Sequence, residues 1–319
     1  MAEAKPGRSC PRHYRYSPVV FAQTAALRAE SLYVVGGLYG NPGALEAVLE
    51  LARRDDATPV FNGDFNWFDV TAEDFAAVNE IVLQHAALRG NVETEIAGED
   101  AGTGCGCGYP EWVGDADVRR SNEILARLRE TARGFPSLRA RLGALPMHFV
   151  AEVGGVRIGI VHGDAESLAG WRFSQEALRD QPERARGLLE LSAVDVFACS
   201  HTCLPVMQDF VTPRGVVLIA NNGAAGMPNF RDTQFGLVTR IAIRPSPEAL
   251  YGVRLGAVCV EAVPVRYDHD AWLARFDRAW PSGSPASASY RQRIVSGPAY
   301  GVEQAMRIAR PDDALWRAA

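Results

Sequence analysis

Five short apolar runs in this chain each end in a polar residue beside a glycine or another small residue. The segments that follow them are Asn62-Gly63-Asp64, Gly90-Asn91, His162-Gly163-Asp164, Ser200-His201 and Asn221-Asn222-Gly223. In an open α/β sheet, ligands bind just beyond the carboxyl ends of the strands. Glycine at such an end lets the backbone turn sharply and approach a ligand closely. We therefore expect the five ends to face one crevice.

The pattern between these ends predicts an α/β fold. Leu32 to Val35 and Val60-Phe61 are apolar runs typical of strands, and Asn41 followed by Pro42 is typical of a helix start. Gly154-Gly155 joins the apolar runs 148–153 and 156–161, which predicts a hairpin. Further strands are expected at 194–198, 216–220, 238–243 and 257–265.

The two ends of the chain differ in composition from the middle. Residues 1–30 carry Pro6, Pro11 and Pro18, which indicates an extension lying over the domain and not a strand or helix within it. Residues 31–265 form the predicted domain. Residues 266–319 have a mainly helical pattern and are expected to pack on it as a tail.

Composition excludes several classes of protein. The longest apolar runs are far too short to span a bilayer, and the polar start lacks a secretory signal, so we expect a cytoplasmic protein without a membrane partner. A net charge of -5 without an arginine-dense run gives no nucleic-acid surface. Lys5 is the only lysine, which excludes a Schiff-base or phosphate-loop lysine inside the domain. The six cysteines favour thiols or metal ligands over a disulfide framework.

Four of the strand-end residues form a metal-binding set. Asp64, Asn91, His162 and His201 offer oxygen and nitrogen ligands, which suit a divalent transition metal such as Mn, Fe or Zn. Each of them alone has an ordinary structural interpretation, as a turn aspartate, a loop asparagine or a core histidine. Their order along the chain favours ligands.

The order and spacing resemble the calcineurin-like metallophosphoesterase superfamily, particularly its compact bacterial members. That family's blocks are Asp-x-His-Gly-Asn, Gly-Asp, Gly-Asn-His-Asp/Glu, His-Gly and Gly-His-Thr-His. The corresponding segments here are Gly37-Leu38-Tyr39-Gly40-Asn41, Gly63-Asp64, Gly90-Asn91-Val92-Glu93, His162-Gly163-Asp164 and Ser200-His201-Thr202-Cys203. The resemblance implies a β-sandwich of two mixed sheets flanked by helices, in four layers α/β/β/α.

The resemblance also implies which metal position is intact. Its second metal is held by residues matching Asp64, Asn91, His162 and His201, and all four are present. The ligands that the family uses for its first metal alone correspond here to Gly37, Tyr39 and Cys203. Gly37 has no side chain and a neutral Tyr39 is a poor ligand, so we expect one fully liganded metal. Val92 stands where the family has an imidazole that protonates the leaving group, so the usual general acid is absent.

Several neighbours of these residues have two interpretations. Cys203 is either a small buried hydrophobic residue or a thiolate ligand. Cys105 and Cys107 either fold over the site and donate sulfur or lie in a surface loop with reactive thiols. Glu93 and Asp164 are either ordinary solvated acids in loops, which is the default interpretation, or residues that donate a proton or support the ligands. Candidates for phosphate binding or ligand support are Gly37, Tyr39, Asn41 and Asn222.

Two functions follow from this sequence. The first is a divergent metal-dependent phosphoesterase that hydrolyses a small phosphate mono- or diester with a metal-activated water. The alternative is a catalytically impaired protein of the same fold that binds phosphate or a nucleotide, or regulates. In both, the partner is a small phosphate-containing molecule. The sequence predicts no oligomeric state.

Overall fold

The computed structural model describes residues 5–99, 102–309 and 314–316, the last three by their backbone only. Residues 1–4, which begin the predicted extension and its polar start, lie outside the described residues. So do parts of the predicted tail, residues 310–313 and 317–319. Within the described ranges, no helix combines the length and the apolar character that crossing a membrane requires.

Two mixed sheets of seven strands each make up the centre of the described structure. Sheet I consists of β2 (Ser31–Val35), β3 (Thr58–Asn62), β4 (Ala86–Leu88), β10 (Gly236–Ala242), β11 (Tyr251–Leu255), β12 (Val258–Val265) and β14 (Ala314–Trp316). Its order is β14-β11-β12-β10-β2-β3-β4. Sheet II consists of β1 (Leu27–Ala29), β5 (His148–Val153), β6 (Val156–Val161), β7 (Val196–Cys199), β8 (Val206–Thr212), β9 (Gly215–Asn221) and β13 (Met306–Arg307). Its order is β1-β5-β6-β7-β9-β8-β13.

Parallel pairing at one side of sheet I and in the middle of sheet II brings the predicted strand ends together. In sheet I, β2, β3 and β4 run parallel, with Val34 opposite Val60 and Val60 opposite Ala86. In sheet II, β6, β7 and β9 run parallel, with Ile158 opposite Val196 and Val196 opposite Leu218. Parallel neighbours end on the same side, so the five polar segments lie at the carboxyl edges of the two sheets.

The helices cover the outer faces of both sheets. They are α1 (Pro42–Arg54), α2 (Ala72–Val82), α3 (Asn91–Ala97), α4 (Asp115–Arg133), α5 (Pro136–Ala144), α6 (Gln175–Asp180), α7 (Pro182–Leu191), α8 (His269–Ala279) and α9 (Pro285–Ser296). Inner-face residues of the two sheets, such as Leu32 and Ile160, form one buried cluster. The outer face of sheet I packs on helices, as with Val35 and Leu45, and so does that of sheet II, as with Phe197 and Leu188. The four-layer α/β/β/α prediction is confirmed.

Both ends of the chain contribute to the sheets, which the sequence analysis did not predict. Residues 27–29, assigned to the extension, form β1 and pair in parallel with β5. Tyr14 and Phe21 are fully buried, because apolar side chains between the prolines pack into the domain. The tail contains the expected helices α8 and α9, but β13 and β14 pair with β8 and β11. The prediction of an extension without a strand is therefore wrong.

The sequence pattern did not predict two further strands, β8 and β11. The strand β8 mixes buried and partly exposed residues, and β11 carries the exposed Arg254 one residue before its end. Neither is a continuous apolar run, so neither stood out beside the fully buried strands. The predicted hairpin is confirmed, because β5 and β6 pair antiparallel across Gly154-Gly155, both in the left-handed region.

Candidate metal centre

The metal centre takes two residues from the edge of each sheet. Asp64 follows β3 and Asn91 begins α3 after β4, whereas His162 follows β6 and His201 follows β7. The centre therefore lies where the carboxyl edges of the two sheets meet. All four side chains are buried, and none is more than 6% exposed.

One atom of each of the four residues points to a common place. The Nε2 atom of His162 lies 3.3 Å from Asp64 Oδ2, 3.1 Å from Asn91 Oδ1 and 3.0 Å from His201 Nδ1. The ligand atoms of Asp64, His162 and His201 all lie within 4.8 Å of one another. Two imidazoles, a carboxylate and an amide oxygen form a set that divalent first-row metals accept, so these residues fit the metal that the sequence implied.

The atoms that do not face the centre are held by the backbone. His162 Nδ1 lies 3.0 Å from the carbonyl oxygen of Asn62, and His201 Nε2 lies 2.9 Å from that of Cys107. Asn91 Nδ2 donates to the carbonyl oxygen of Cys105 at 2.9 Å. A carbonyl accepts only from N–H, so each imidazole keeps its proton on the outer nitrogen and turns a lone pair inward.

Burial and neighbouring charges separate the two imidazoles in the metal-free protein. Burial, followed by repulsion from His162, lowers the pKa of His201 to about 3, so this ring is neutral at ordinary pH. Burial also opposes protonation of His162, but the Asp64 carboxylate outweighs it and the pKa of His162 is raised. Burial and the charge of Asp64 raise the pKa of Glu93 as well.

Three residues around the centre have a strained backbone conformation. Tyr39, Asp64 and Cys203 have φ values of 55°, 51° and 62°, in the left-handed region that non-glycine residues rarely adopt. Such conformations cluster at functional sites because the surrounding structure enforces them. Gly63, with φ 93°, is required at its position, because a Cβ there would lie 2.5 Å from the backbone nitrogen of Gly90.

The three residues matched to the first metal's ligands, Gly37, Tyr39 and Cys203, pack against one another. A Cβ added to Gly37 would meet the Tyr39 ring at 3.0 Å, so the ring takes up the space that a side chain there would need. The hydroxyl group of Tyr39 lies 2.8 Å from Cys203 Sγ. Cys203 lies outside the group formed by Asp64, His162 and His201. Burial raises the pKa of the Cys203 thiol, which does not favour a thiolate ligand in the metal-free protein. Among the described residues, these three therefore contribute no atom to the cluster of candidate ligands.

Glu93 supports the ligands from behind. Its Oε2 accepts the backbone N–H groups of Asp64 at 2.8 Å and Gly90 at 2.9 Å. Its Oε1 accepts the N–H of Asn66 at 3.2 Å and the Asn66 side-chain amide at 3.1 Å. The carboxylate therefore ties together the two loops that carry Asp64 and Asn91.

The remaining predicted residues have structural contacts. Asn41 caps α1 by accepting from the Ala44 N–H, and its amide donates to Gly226. Asp164 accepts the N–H groups of Glu166, Ser167 and Arg172, which shapes its own loop. Asn222 donates to the carbonyls of Gly36 and Leu237. None of these contacts places a side-chain atom of Asn41, Asp164 or Asn222 on a metal ligand.

The two cysteines of the glycine-rich loop are joined to each other. Cys105 and Cys107 form a disulfide, and both are buried. The interpretations of these cysteines as thiolate ligands or as reactive surface thiols are therefore wrong in this structure. The expectation that the loop folds over the site is correct, because its carbonyls contact Asn91 and His201.

Two contributors to the centre gave no signal in the sequence. The carbonyl oxygens of Asn62 and Cys107 belong to the backbone, which every residue carries. Trp171 packs edge-on against His201 with 5.4 Å between ring centroids, and its indole N–H donates to the same Cys107 carbonyl. Only the folded chain brings these groups together.

Comparison with known proteins supports the fold. No protein-family model matches the sequence, and no curated protein matches it significantly. The structure resembles a metallophosphoesterase from Sphaerobacter thermophilus, with a TM-score of 0.55 and 17% sequence identity, over 85% of this chain and 100% of that one. It also resembles a hypothetical protein from Pyrococcus horikoshii OT3, with a TM-score of 0.56 and 17% identity, over 84% of this chain and 99% of that one.

The chain has the metallophosphoesterase fold. At 17% identity this likeness concerns the fold alone. The fold that the sequence resemblance implied is thus confirmed. In this metallophosphoesterase fold, the candidate centre of Asp64, His162 and His201 lies at the carboxyl edges of the sheets.

Proposed function

We propose that this protein is a metal-dependent phosphoesterase that hydrolyses a small phosphate ester at a one-metal centre. The observation that carries the proposal is the convergence of Asp64 Oδ2, Asn91 Oδ1, His201 Nδ1 and His162 Nε2 within hydrogen-bond distances. A buried carboxylate, an amide oxygen and two imidazoles gathered this closely match the ligand set of a divalent cation. The metallophosphoesterase fold supports the same assignment.

A bound divalent metal would polarise the phosphoryl group and lower the pKa of a water molecule to about 7. The chain's own part is to hold four ligand atoms rigidly and to exclude bulk water from them. Asp64 supplies the negative charge of the set. Glu93 fixes the backbone around Asp64 through the N–H groups that it accepts.

Among the residues that the structure describes, the centre has none in position to protonate the leaving group. Val92 stands beside Asn91, and both histidines are occupied by the centre and by backbone carbonyls. General acid catalysis contributes roughly 10²–10⁴ in rate. We therefore expect the protein to favour esters with good leaving groups, such as aryl esters, over alkyl esters.

A cavity of about 900 Å³, whose lining includes none of the four proposed ligands, would hold the organic part of the ester. Trp171 lines this cavity and also contacts His201. The exposed Trp112 packs edge-on against Trp171, so an aromatic surface leads toward the centre. Four arginines and four carboxylates line the cavity, so its charges balance overall. Arg172 and Arg179 form ion pairs with Glu166 and Asp180, which leaves Arg15 and Arg184 as the lining cations that would contact an anionic substrate.

Hydrolysis of an aryl phosphodiester tests the proposal. Protein loaded in turn with Mn, Fe or Zn should turn it over slowly, and Asp64→Ala should reduce the rate to background. Asp270→Ala is the matched control, because this carboxylate is fully exposed on α8. If no metal supports a rate above that of Asp64→Ala, the enzyme proposal fails and the phosphate-binding or regulatory alternative replaces it.

A further inference from the structure

The glycine-rich loop of residues 102–108 holds two of the four proposed ligands. The carbonyl oxygen of Cys105 accepts the Asn91 amide N–H at 2.9 Å, which turns Asn91 Oδ1 toward the centre. The carbonyl oxygen of Cys107 accepts from His201 Nε2 at 2.9 Å, which fixes the ring with Nδ1 inward. The two carbonyls are only two residues apart, so the shape of this short segment decides the orientation of both ligands.

The loop is costly to hold in that shape. Gly102, Gly104, Gly106 and Gly108 all have φ between 60° and 73°, so every second residue is left-handed. At Gly106 a Cβ would lie 2.4 Å from the Tyr14 hydroxyl oxygen, so a larger residue does not fit. Glycine loses more conformational freedom on ordering than any other residue. A run with four glycines therefore orders poorly without a further constraint.

The disulfide supplies that constraint at the position where it matters. It joins Cys105 to Cys107, the same two residues whose carbonyls contact Asn91 and His201. The loop is also held by the Cys105 N–H on Asn122, by the Thr103 hydroxyl on Glu95 and by the Trp171 indole N–H on the Cys107 carbonyl. Those contacts secure its position in the fold, whereas the disulfide restricts the backbone between the two carbonyls.

We propose that the Cys105–Cys107 disulfide couples the redox state of this loop to the metal affinity of the centre. Cys105 and Cys107 are positioning residues, because they act through Asn91 and His201. With the disulfide formed, both ligands are preorganised. With it reduced, the loop gains freedom and the metal is held more weakly. The inference rests on the metal centre of the proposed function.

The reaction is an ordinary two-electron exchange. A dithiol reductant breaks the S–S bond and becomes a disulfide itself, and the loop gains two electrons and two protons as two thiols. A water-soluble trialkylphosphine does the same without adding a thiol. The phosphine becomes the phosphine oxide, taking its oxygen from water, and the two protons of that water go to the sulfurs.

The test is the dissociation constant of Mn²⁺, measured by competition with a chelator on the full chain before and after phosphine treatment. Mn²⁺ prefers oxygen and nitrogen to sulfur, so the freed thiols do not compete for it. Loss of ligand support typically weakens metal binding about 10–100-fold, and we expect a weakening of about tenfold or more on reduction. Reoxidation should restore the affinity.

Because both sulfurs are buried, the double variant Cys105→Ser/Cys107→Ser makes the same change without a reductant. It should bind Mn²⁺ as weakly as the reduced protein and show no response to phosphine. Cys259→Ser, at a free cysteine of β12 outside both the loop and the cavity, should keep the wild-type affinity and response. Circular dichroism of each sample establishes that the fold is retained.

Three outcomes overturn the inference. Equal Mn²⁺ affinity in the oxidised protein and the double variant means that the disulfide does not position the ligands. Tighter binding after reduction means that the thiols coordinate the metal directly. If the oxidised wild type binds Mn²⁺ no better than Asp64→Asn, the metal centre itself is refuted, and with it the proposed function.

Discussion

The hydroxyl group of Tyr39 lies 2.8 Å from the sulfur of Cys203, so two residues that the sequence resemblance matched to ligands of a first metal contact each other. The Cys203 sulfur also lies 3.3 Å from the carbonyl oxygen of His201. Burial raises the pKa of Tyr39 and of Cys203, so in the metal-free protein both are neutral at ordinary pH. A neutral phenol and thiol that bond to each other form a packing contact and not a cation site.

Replacement of Tyr39 by Phe tests this interpretation. The variant keeps the ring beside Gly37 and removes only the hydroxyl group that contacts Cys203. We expect a loss of about 1 kcal/mol in the free energy of unfolding, which is typical of one hydrogen bond, and unchanged metal content. Denaturant unfolding and elemental analysis on one sample measure both. Loss of metal from this variant would make the phenol part of the metal centre.

Replacement of Glu93 by Gln, which has nearly the same size and shape, should lower both the stability of the protein and its metal affinity. All four partners of the carboxylate are N–H donors, from Asp64, Gly90 and Asn66. The amide of Gln would face at least one of them with its own N–H. A buried donor without an acceptor costs about 1–3 kcal/mol, so we expect that loss of stability together with weaker metal binding.

The matched control is Glu130→Gln, because the side chain of Glu130 is 71% exposed on α4. Thermal unfolding and a Mn²⁺ titration of both variants measure the two effects. Wild-type metal affinity in Glu93→Gln would show that this carboxylate does not support the ligands.

The pH dependence of the free energy of unfolding should reflect the titration of Asp69. Burial raises the pKa of this carboxyl group from 3.8 to about 7. The unfolded chain loses the proton near pH 4, whereas the folded chain keeps it up to about pH 7, so the group destabilises the fold increasingly as pH rises between these values. Asp69→Asn removes the titration, and Oδ1 of Asn can still accept the Trp67 N–H.

We therefore expect the stability of Asp69→Asn relative to wild type to increase from pH 4 to pH 8, by about 4 kcal/mol at most, since one pKa unit is about 1.4 kcal/mol. Urea unfolding of both proteins across this range measures the difference. A constant difference would mean that Asp69 titrates normally in the folded protein.

Arg184 should affect binding of substrate but not turnover. This exposed residue of α7 lines the cavity beside the centre, and no ion pair of its side chain occurs within the described ranges. With an anionic aryl ester, Arg184→Ala should raise KM about fivefold, equivalent to about 1 kcal/mol for an exposed charge pair, with kcat unchanged. Arg186→Ala, exposed on the same helix outside the cavity, is the control. Equal KM values for the two variants would place the substrate elsewhere.

The sequence predicted the parts of this molecule that depend on local pattern. The apolar runs predicted the inner strands, and their polar ends predicted that Asp64, Asn91, His162 and His201 meet. Gly37 and Tyr39 indicated the loss of the first metal position because the resemblance supplied a pattern to compare with. Residue type and position along the chain sufficed for these inferences.

Long-range contacts decided what the sequence did not predict. β1 pairs with β5 across more than a hundred residues, and a three-residue segment with Arg28 in its middle is too short and too polar to signal a strand. Nothing local distinguishes a Cys105–Cys107 disulfide from two thiols. The carbonyls of Asn62 and Cys107 orient the histidines only after the loops have folded. The Tyr39 ring packs beside Gly37, which its residue type alone did not show.

The metal content of the purified protein tests the central claim most directly. Elemental analysis of wild type prepared without chelator, beside His162→Ala and Asp64→Ala, counts the metal per folded chain. One complete set of four ligands predicts close to one transition metal per wild-type chain and almost none in either variant, with circular dichroism unchanged. A firm count of two metals per chain, or equal metal in the wild type and both variants, would contradict a single centre built from Asp64, Asn91, His162 and His201.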